Sequence, residues 1–299
     1  MIPFRTLLKT LRFITSHPLN AEHKLGALYR FVSWQVRSRV SRKAYVYQFT
    51  ERTQLLLERG VTGATGNLYC GLMEYRDMGF LLHFLRPTDY FLDVGANVGV
   101  YSILAGGEIR ARTTAVEPVP NTYQRLLRNL ALNELGERVE PLQVGLGRTA
   151  GSLQMTTELD TQNHMAPPGA EAPGTLTVRV CTLDEVVGDT PPALIKIDVE
   201  GFETEVLRGA ARTLASPTLK AIIIELNGAG SRYGYDEQKI HAHLIGLGFA
   251  PYTYDPLARM LHPLDTYGTH NTIYLRDVPA VAERLRTARR VLIGERRTL

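Results

Sequence analysis

The first 60 residues have apolar side chains at the spacing of amphipathic helices. One helix is predicted near residues 4–14, a break follows at 17–20, and a second helix is predicted over 21–40. The second helix has basic residues on one face and apolar residues on the other, namely Leu25, Leu28, Tyr29, Val32 and Val36. A turn-rich stretch at 60–67 ends this part. We therefore predict a helical N-terminal extension over residues 1–65 that packs on the following domain.

From about residue 70, short apolar runs alternate with helical patterns. Strands are predicted at 90–94, 113–116, 139–144, 194–197 and 221–225, and helices at 73–84, 98–106, 121–133, 203–214 and 236–247. This alternation favours a mostly parallel sheet with helices on both faces. Three further strands, at 249–254, 259–262 and 271–275, have no helices between them, which predicts an antiparallel edge. The sequence thus predicts an α/β domain over residues 66–280, followed by a basic C-terminal tail over 281–299.

A polar segment rich in proline and glycine, residues 156–174, interrupts this alternation. Loops of this length are uncommon and are often lids or binding loops. An unstructured surface insertion is the alternative, and the residues leave both open. The segment contains His164 among polar neighbours, which makes its imidazole a candidate for catalysis.

Composition and charge limit the class of protein. The chain is 44% apolar and 21% charged, as in ordinary globular proteins, and no apolar run approaches the ~20 residues of a membrane-spanning helix. Basic residues interrupt any signal-peptide core near the N-terminus, and Cys70 and Cys181 are far apart, so we expect a cytoplasmic protein with reduced thiols. Both ends of the chain are basic and could meet nucleic acid or an anionic membrane. Because no recognition motif accompanies them, we interpret them as solvated helix faces and expect no nucleic-acid partner.

The first predicted strand ends in an acid and turns through small residues into a helix. Gly95 can adopt a positive φ and lets the backbone approach a ligand, while Gly99 lets the helix pack on the strand. Asp93 would repel a pyrophosphate but would favour the amine or sulfonium of S-adenosylmethionine. Glu117 ends the second strand, where an acid can accept the hydroxyls of a ribose. Because the dinucleotide pattern G-x-G-x-x-G is absent, these residues favour S-adenosylmethionine as the cofactor.

Two later strands end in acids at the same edge of the predicted sheet. Asp198 and Glu200 follow the fourth strand, and Glu225 ends the fifth. A half-buried carboxylate there would have a raised pKa and could act as a general base, although Glu225 could equally be a structural hydrogen-bond acceptor. Glu203 is better explained as a helix N-terminal acid. Lys196 either neutralises a neighbouring carboxylate or points to the other face of the sheet, and both are favoured over a catalytic amine. Three acids could hold Mg²⁺, but nothing in the sequence requires a metal, and we predict none.

These motifs resemble the FkbM family of methyltransferases, and they come in that family's order over about residues 70–275. The most specific is the string Ile-Lys-Ile-Asp-Val-Glu-Gly at 195–201. The resemblance implies a class I Rossmann-like methyltransferase fold with a seven-stranded, mostly parallel sheet. It also implies S-adenosylmethionine as methyl donor and a hydroxyl acceptor on a sugar or natural-product scaffold. The predicted cofactor-binding residues are Asp93, Gly95, Ala96, Asn97, Gly99, Tyr101, Glu117, Pro118 and Asp198. The third strand departs from the usual pattern at 144–147, which leaves the residue that contacts adenine open.

Methyl transfer to a hydroxyl needs an aligned acceptor oxygen and a base that takes its proton. The candidate bases are Glu200, Glu225 and His164, and the sequence does not choose among them. An NAD-dependent oxidoreductase and a non-catalytic binding module are the alternative functions. The missing dinucleotide pattern argues against the first, and acids at the ends of four strands argue against the second. A homodimer is left open.

Overall fold

The computed structural model describes residues 4–41, 43–156, 164–165, 175–294 and 297–299. Its helices are α1 (Phe4–Ser16), α2 (Lys24–Val40), α3 (Thr62–Cys70), α4 (Tyr75–Phe84), α5 (Val100–Ile103), α6 (Pro120–Leu132), α7 (Leu183–Val187), α8 (Glu203–Arg208), α9 (Ala211–Ala215), α10 (Glu237–Gly246) and α11 (Val278–Arg286). Its strands are β1 (Tyr45–Gln48), β2 (Gln54–Leu57), β3 (Tyr90–Val94), β4 (Arg112–Val116), β5 (Val139–Leu142), β6 (Gly145–Leu146), β7 (Gly151–Thr156), β8 (Thr175–Cys181), β9 (Leu194–Ile197), β10 (Ala221–Glu225), β11 (Ala250–Asp255), β12 (Met260–Pro263), β13 (Asn271–Leu275), β14 (Leu292–Ile293) and β15 (Arg297–Thr298).

The main sheet has eight strands in the order β12-β11-β13-β10-β9-β3-β4-β5. Neighbours from β10 to β5 pair in parallel, and β13, β11 and β12 pair antiparallel at the other edge. The predicted α/β fold, with a mostly parallel sheet and an antiparallel edge, is therefore confirmed. The strand count of seven implied by the resemblance is wrong by one, because β12 folds back on β11 and extends the edge.

The central strands are mostly apolar because both faces of the sheet are covered, and their charged residues are Asp93 in β3 and Lys196 in β9. All residues of β3 and β9 are buried, as expected for parallel strands between two helical layers. After β3 the chain places β4 and β5 on one side, and it later places β9 and β10 on the other. Strand order thus reverses at β3, which opens a crevice at the carboxyl ends of β3, β4, β9 and β10.

Two predicted helices differ from their sequence pattern. The helix predicted over 203–214 is divided at Gly209 into α8 and α9, and Gly209 lies against the neighbouring backbone: a Cβ there would come 2.1 Å from the Gly147 carbonyl oxygen. The helix predicted over 98–106 begins at Val100, and after α5 it widens into a π-helix over Leu104–Ile109.

The N-terminal elements share one hydrophobic core with the sheet, to which Ile14, Phe31 and Trp34 contribute. Helix α2 has two apolar faces, and the structure buries the one that the sequence did not indicate. Its buried residues are Ala27, Phe31, Trp34 and Ser38, whereas four of the five residues on the predicted apolar face are exposed: Leu25, Tyr29, Val32 and Val36. Helical spacing alone cannot predict which of two apolar faces is buried, because that depends on the elements that pack against the helix.

The basic C-terminal tail predicted over 281–299 packs on the same core through Val291, Ile293 and Leu299. Arg284 contacts the Asp89 carboxylate at 2.5 Å, and Arg289 contacts the buried carboxylate of Glu108. These two arginines are therefore ion-pair partners, not part of a solvated face as we interpreted them from the sequence. None of the helices in the described ranges is long and apolar enough to cross a membrane.

Candidate active site

A cleft of about 280 Å³ lies at the carboxyl ends of β3, β4, β9 and β10. Most residues predicted from the sequence line it: Asp93, Gly95, Ala96, Asn97, Tyr101, Glu117, Pro118, Asp198, Glu200 and Glu225. Gly99 and His164 do not line it. Parallel strands bring their carboxyl ends to one edge, so residues more than 130 positions apart meet here.

The loop after β3 approaches the loop after β9 more closely than a side chain would allow. Gly95 has a φ of 80°, and a Cβ there would lie 1.8 Å from the Asp198 carbonyl oxygen. Asn97 also has a positive φ, 51°, and its side-chain oxygen accepts the Val98 N–H at 2.8 Å. Asparagine tolerates this left-handed conformation because its side chain hydrogen-bonds locally. The two loops can therefore pack main chain against main chain at the edge of the cleft.

Glu117 joins the ends of β3 and β4. Its buried carboxylate accepts the N–H of Asn97 at 3.0 Å and the N–H of Val119 at 2.9 Å. Burial raises the pKa of Glu117 to about 7, although these two hydrogen bonds act to lower it. Each carboxylate oxygen has a further lone pair, so the group can accept hydrogen bonds from a ligand as well.

Asp93 is buried with an unsatisfied acceptor. Its Oδ2 accepts the Ser102 hydroxyl at 2.6 Å, whereas Oδ1 has no hydrogen-bond donor among the described residues. Burial raises the pKa of Asp93 to about 6, and the ammonium of Lys196 and the Ser102 hydroxyl oppose this. An unpaired buried acceptor costs stability, and this one lines the cleft. A cationic ligand group would satisfy it.

Three carboxylates come together beyond β9 and β10. One oxygen each of Asp198, Glu200 and Glu225 lies within 4.8 Å of the others. Burial, together with the charge of Asp198, raises the pKa of Glu200 to about 7. The pKa of Glu225 is also raised, first by burial and then by its charged and hydrogen-bonded neighbour Asp198. Adjacent carboxyl groups resist simultaneous ionisation, so this cluster can hold a proton or a divalent cation.

Lys196 supplies the positive charge of this cluster. Its ammonium lies 2.8 Å from the Asp198 carboxylate and 4.8 Å from the centre of the Tyr101 ring. Burial would lower the pKa of Lys196, but the carboxylates of Asp198, Glu74 and Asp93 outweigh it and raise this pKa. The charged ammonium neutralises its neighbours, which is one of the two roles that the sequence left open.

Glu203 holds the loop that presents Glu200. The Glu203 carboxylate is buried and accepts the N–H groups of Val199 and Gly201 at 3.2 and 3.1 Å. Glu200 has a φ of 53°, an uncommon conformation for a residue with a side chain. The geometry supports the structural interpretation of Glu203.

Sequence reasoning missed two acids, Glu74 at the N-terminal cap of α4 and Asp77 in its first turn. The Glu74 carboxylate accepts the Tyr101 hydroxyl, and the amide of Asn271 donates to Glu74 at 3.3 Å and to Asp77 at 3.2 Å. Burial and then the charge of Glu74 raise the pKa of Asp77 to about 7. The only signal was their i, i+3 spacing on one helix face, since α4 precedes the first strand of the main sheet.

Apolar side chains form another wall of the cleft, where the sequence left the adenine contact open. They are Val119, Val144, Leu146, Met155 and Met165. The Tyr233 hydroxyl fixes this wall by donating to the Met165 carbonyl at 2.6 Å. A flat apolar ring could lie against these residues without a polar partner from the third strand.

His164 lies beside this wall and not in the lining. Its N–H donates to the Thr156 hydroxyl at 2.9 Å, and its carbonyl accepts the Thr156 N–H at 3.0 Å. The predicted lid over 156–174 falls mostly on residues 157–163 and 166–174, outside the described ranges. The structure therefore brings Glu200 and Glu225 together and leaves His164 apart from them.

Comparison with known proteins agrees with this geometry. The family model of the methyltransferase FkbM domain matches residues 93–251, just over half of the chain. Hexuronic acid methyltransferase AglP of Haloferax volcanii is 31% identical over 150 residues, which are 49% of this chain and 59% of that protein. The 31-O-demethyl-FK506 methyltransferase FkbM of Streptomyces tacrolimicus is 26% identical over 65% of this chain and 88% of that protein. The chain spans about three-fifths of the length of AglP.

A solved structure of a methyltransferase FkbM from Methylobacillus flagellatus KT matches 71% of this chain and 52% of its own, with 18% identity and a TM-score of 0.44. Family membership rests on the family model, whose match begins at Asp93 and includes Glu117, Asp198 and Glu225. The chain therefore belongs to the FkbM family of methyltransferases.

Proposed function

We propose that this protein transfers the methyl group of S-adenosylmethionine to a hydroxyl group of a small molecule. The observation that carries the proposal is the convergence of Asp93, Glu117 and Asp198, from three different strands, on one cleft. The names of two relatives, a hexuronic acid methyltransferase and a 31-O-demethyl-FK506 methyltransferase, support a sugar or natural product as the acceptor. Family membership favours methyl transfer over the oxidoreductase and the non-catalytic module considered from the sequence.

The residues present fit S-adenosylmethionine group by group. The free Oδ1 of Asp93 suits its amine, the Glu117 carboxylate suits its ribose hydroxyls, and the apolar wall around Met165 suits its adenine. The missing side chain of Gly95 lets the loop after β3 pack against the Asp198 main chain, which holds Asp93 and Asp198 at the same cleft. A pyrophosphate would meet the carboxylate of Asp93, which is why a dinucleotide fits less well.

The chain's own task is to align the acceptor and to remove its proton. S-adenosylmethionine, when bound, supplies a methyl group activated by a positive sulfur. The acceptor oxygen forms the new C–O bond as the C–S bond breaks, and the hydroxyl proton passes to a carboxylate. We assign this base to Glu200, because its pKa of about 7 suits a group that must be ionised near neutral pH.

Glu225 is better suited to keep a proton. Its pKa is raised by burial and by the hydrogen-bonded carboxylate of Asp198, which favours the protonated form of Glu225 near neutral pH. Neighbouring acids whose pKa values are pushed apart can divide the roles of base and hydrogen-bond donor. His164 does not line the cleft, and we propose no proton transfer for it.

Isothermal titration calorimetry tests the cofactor assignment. We expect heat on addition of S-adenosylmethionine or S-adenosylhomocysteine and none on addition of NAD. We also expect either sulfur compound to raise the melting temperature, because a ligand that binds only the native state stabilises it by mass action. Absence of heat with both sulfur compounds would refute the proposal.

Chelation tests the prediction that no metal is needed. The ammonium of Lys196 already neutralises Asp198, and the raised pKa of Glu225 favours its uncharged form, which lowers the charge of the cluster further. We therefore expect the rate of methyl transfer to stay within about twofold after dialysis against EDTA, since no metal-activated group is lost. A loss of about tenfold or more, restored by Mg²⁺ or Mn²⁺, would instead assign the three carboxylates as metal ligands.

A further inference from the structure

Helix α2 leaves a continuous apolar stripe in solvent. Leu25, Tyr29, Val32, Val36 and Val40 follow one another at intervals of three or four residues, so they lie on one face. Each of these five is between 55% and 83% exposed. The opposite face is the buried one, which includes Phe31 and Trp34. A helix that is already seated in its own core therefore presents a second apolar face without a partner in the described part of the chain.

Positive charge surrounds the stripe. Residues 4–43 contain nine lysines and arginines and one acidic residue, although the whole chain has a net charge of only +4. Lys24, Arg37 and Arg39 of α2 are exposed, as are Lys9 and Arg12 of α1, which packs on α2. Among the described residues, none of these five forms an ion pair with a carboxylate. Their charges are therefore available to an external anionic partner.

We propose that this surface, defined by the stripe on α2 and the basic residues beside it, binds an anionic phospholipid membrane. Interfacial helices bury an apolar face at the level of the lipid headgroups, and their lysines and arginines contact the anionic groups around it. A nucleic acid would use the charges but would leave five apolar side chains uncovered. A second copy of the chain would set two strongly positive surfaces against each other.

The position of the stripe gives membrane binding a consequence for the cleft. Helix α3 packs on α2, and Gly63 of α3 lines the cleft, as does the exposed Met73 that follows α3. Only α3, with a diameter of about 10 Å, separates α2 from this part of the cleft. In the membrane-bound protein the cleft would therefore lie near the lipid surface.

Vesicle co-sedimentation of the full chain tests the proposal. The probes are vesicles of phosphatidylcholine alone and vesicles with about one-third phosphatidylglycerol. We expect binding to the anionic vesicles that is at least about tenfold tighter than to the neutral ones and that weakens with added salt. Lack of binding to the anionic vesicles would overturn the proposal.

Two double variants separate the contributions of the apolar stripe and its charges. Tyr29→Gln with Val36→Gln removes two exposed apolar side chains, and Lys24→Gln with Arg39→Gln removes two charges. Each should weaken binding to anionic vesicles by about tenfold. Ile245→Gln with Leu257→Gln is the matched control, because both residues are exposed and lie outside residues 4–43; it should bind like the wild type. An unchanged melting temperature shows that each variant is folded.

Three results would count against a membrane surface. One is binding of the Tyr29→Gln and Val36→Gln variant equal to that of the wild type. Another is a wild-type dimer that this variant disrupts, which would make the stripe a contact between copies. The last is tighter binding to a single-stranded oligonucleotide than to anionic vesicles, if oligonucleotide binding is lost in the Lys24→Gln and Arg39→Gln variant but not in the Tyr29→Gln and Val36→Gln variant.

Discussion

Glu200→Gln should lower kcat for methyl transfer by about 10²–10⁴, the usual contribution of a general base. The glutamine has nearly the same shape but cannot take the hydroxyl proton. Affinity for S-adenosylmethionine should stay within about threefold, because the substitution acts on proton transfer and not on uniform binding. Activity is measured as S-adenosylhomocysteine released with hexuronic acids or hydroxylated natural products as acceptors.

The pH profile identifies the base independently. Burial raises the pKa of Glu200 to about 7, and a base acts only when it is deprotonated. The wild-type kcat/KM should therefore fall as the pH drops below about 7 and should level off above it. In Glu200→Gln this limb should disappear.

Glu225→Gln is the matched control, since a glutamine can still donate the hydrogen bond of a protonated carboxyl group. We expect kcat to fall by about tenfold or less. If Glu225→Gln has the larger loss and Glu200→Gln is nearly normal, the base is Glu225 and our assignment is wrong.

Asp93→Asn should weaken binding of S-adenosylmethionine by about 10²-fold, because a buried charge-assisted hydrogen bond to its amine is replaced by a neutral group. The same change should stabilise the unliganded protein at about pH 8. The pKa of Asp93 is about 6 in the folded protein, against an ordinary 3.8. The folded state therefore holds the proton more tightly than the unfolded state, and Asp93 favours folding only at low pH. That contribution is complete below about pH 4 and is lost as the pH rises through 6. The full difference corresponds to about 3 kcal/mol in the free energy of unfolding.

Calorimetry and chemical denaturation at two pH values separate the two effects of Asp93→Asn. The gain in stability over the wild type should be large at about pH 8 and should shrink toward about pH 4, as the wild-type carboxyl group takes up a proton. Asp189→Asn is the control, because Asp189 is fully exposed and should alter neither property. Normal affinity of Asp93→Asn for S-adenosylmethionine would show that Oδ1 of Asp93 does not bind the amine of the cofactor.

Local sequence determines the strands of the main sheet and the chemistry at their ends, although the helical pattern of the first 60 residues gave no sign of the hairpin of β1 and β2. Strands β3 and β9 are mostly apolar runs that need two covering layers, and Asp93 and Asp198 stand at or just after their ends. Because parallel strands share a carboxyl edge, the location of the site follows from the alternation of strands and helices alone. The positive φ of Gly95 likewise follows from a turn that only glycine makes easily.

Contacts between distant elements were decided by tertiary structure. The sequence placed Asp198, Glu200 and Glu225 at one edge, but only packing brought their oxygens within 4.8 Å and seated Lys196 among them. Beyond the spacing of Glu74 and Asp77, it gave no sign that Glu74, at the start of α4, would enter the site. Helix α2 had two apolar faces, and the partner surface decided which was buried. Periodicity records only which residues share a face, whereas burial depends on long-range neighbours that no local pattern specifies.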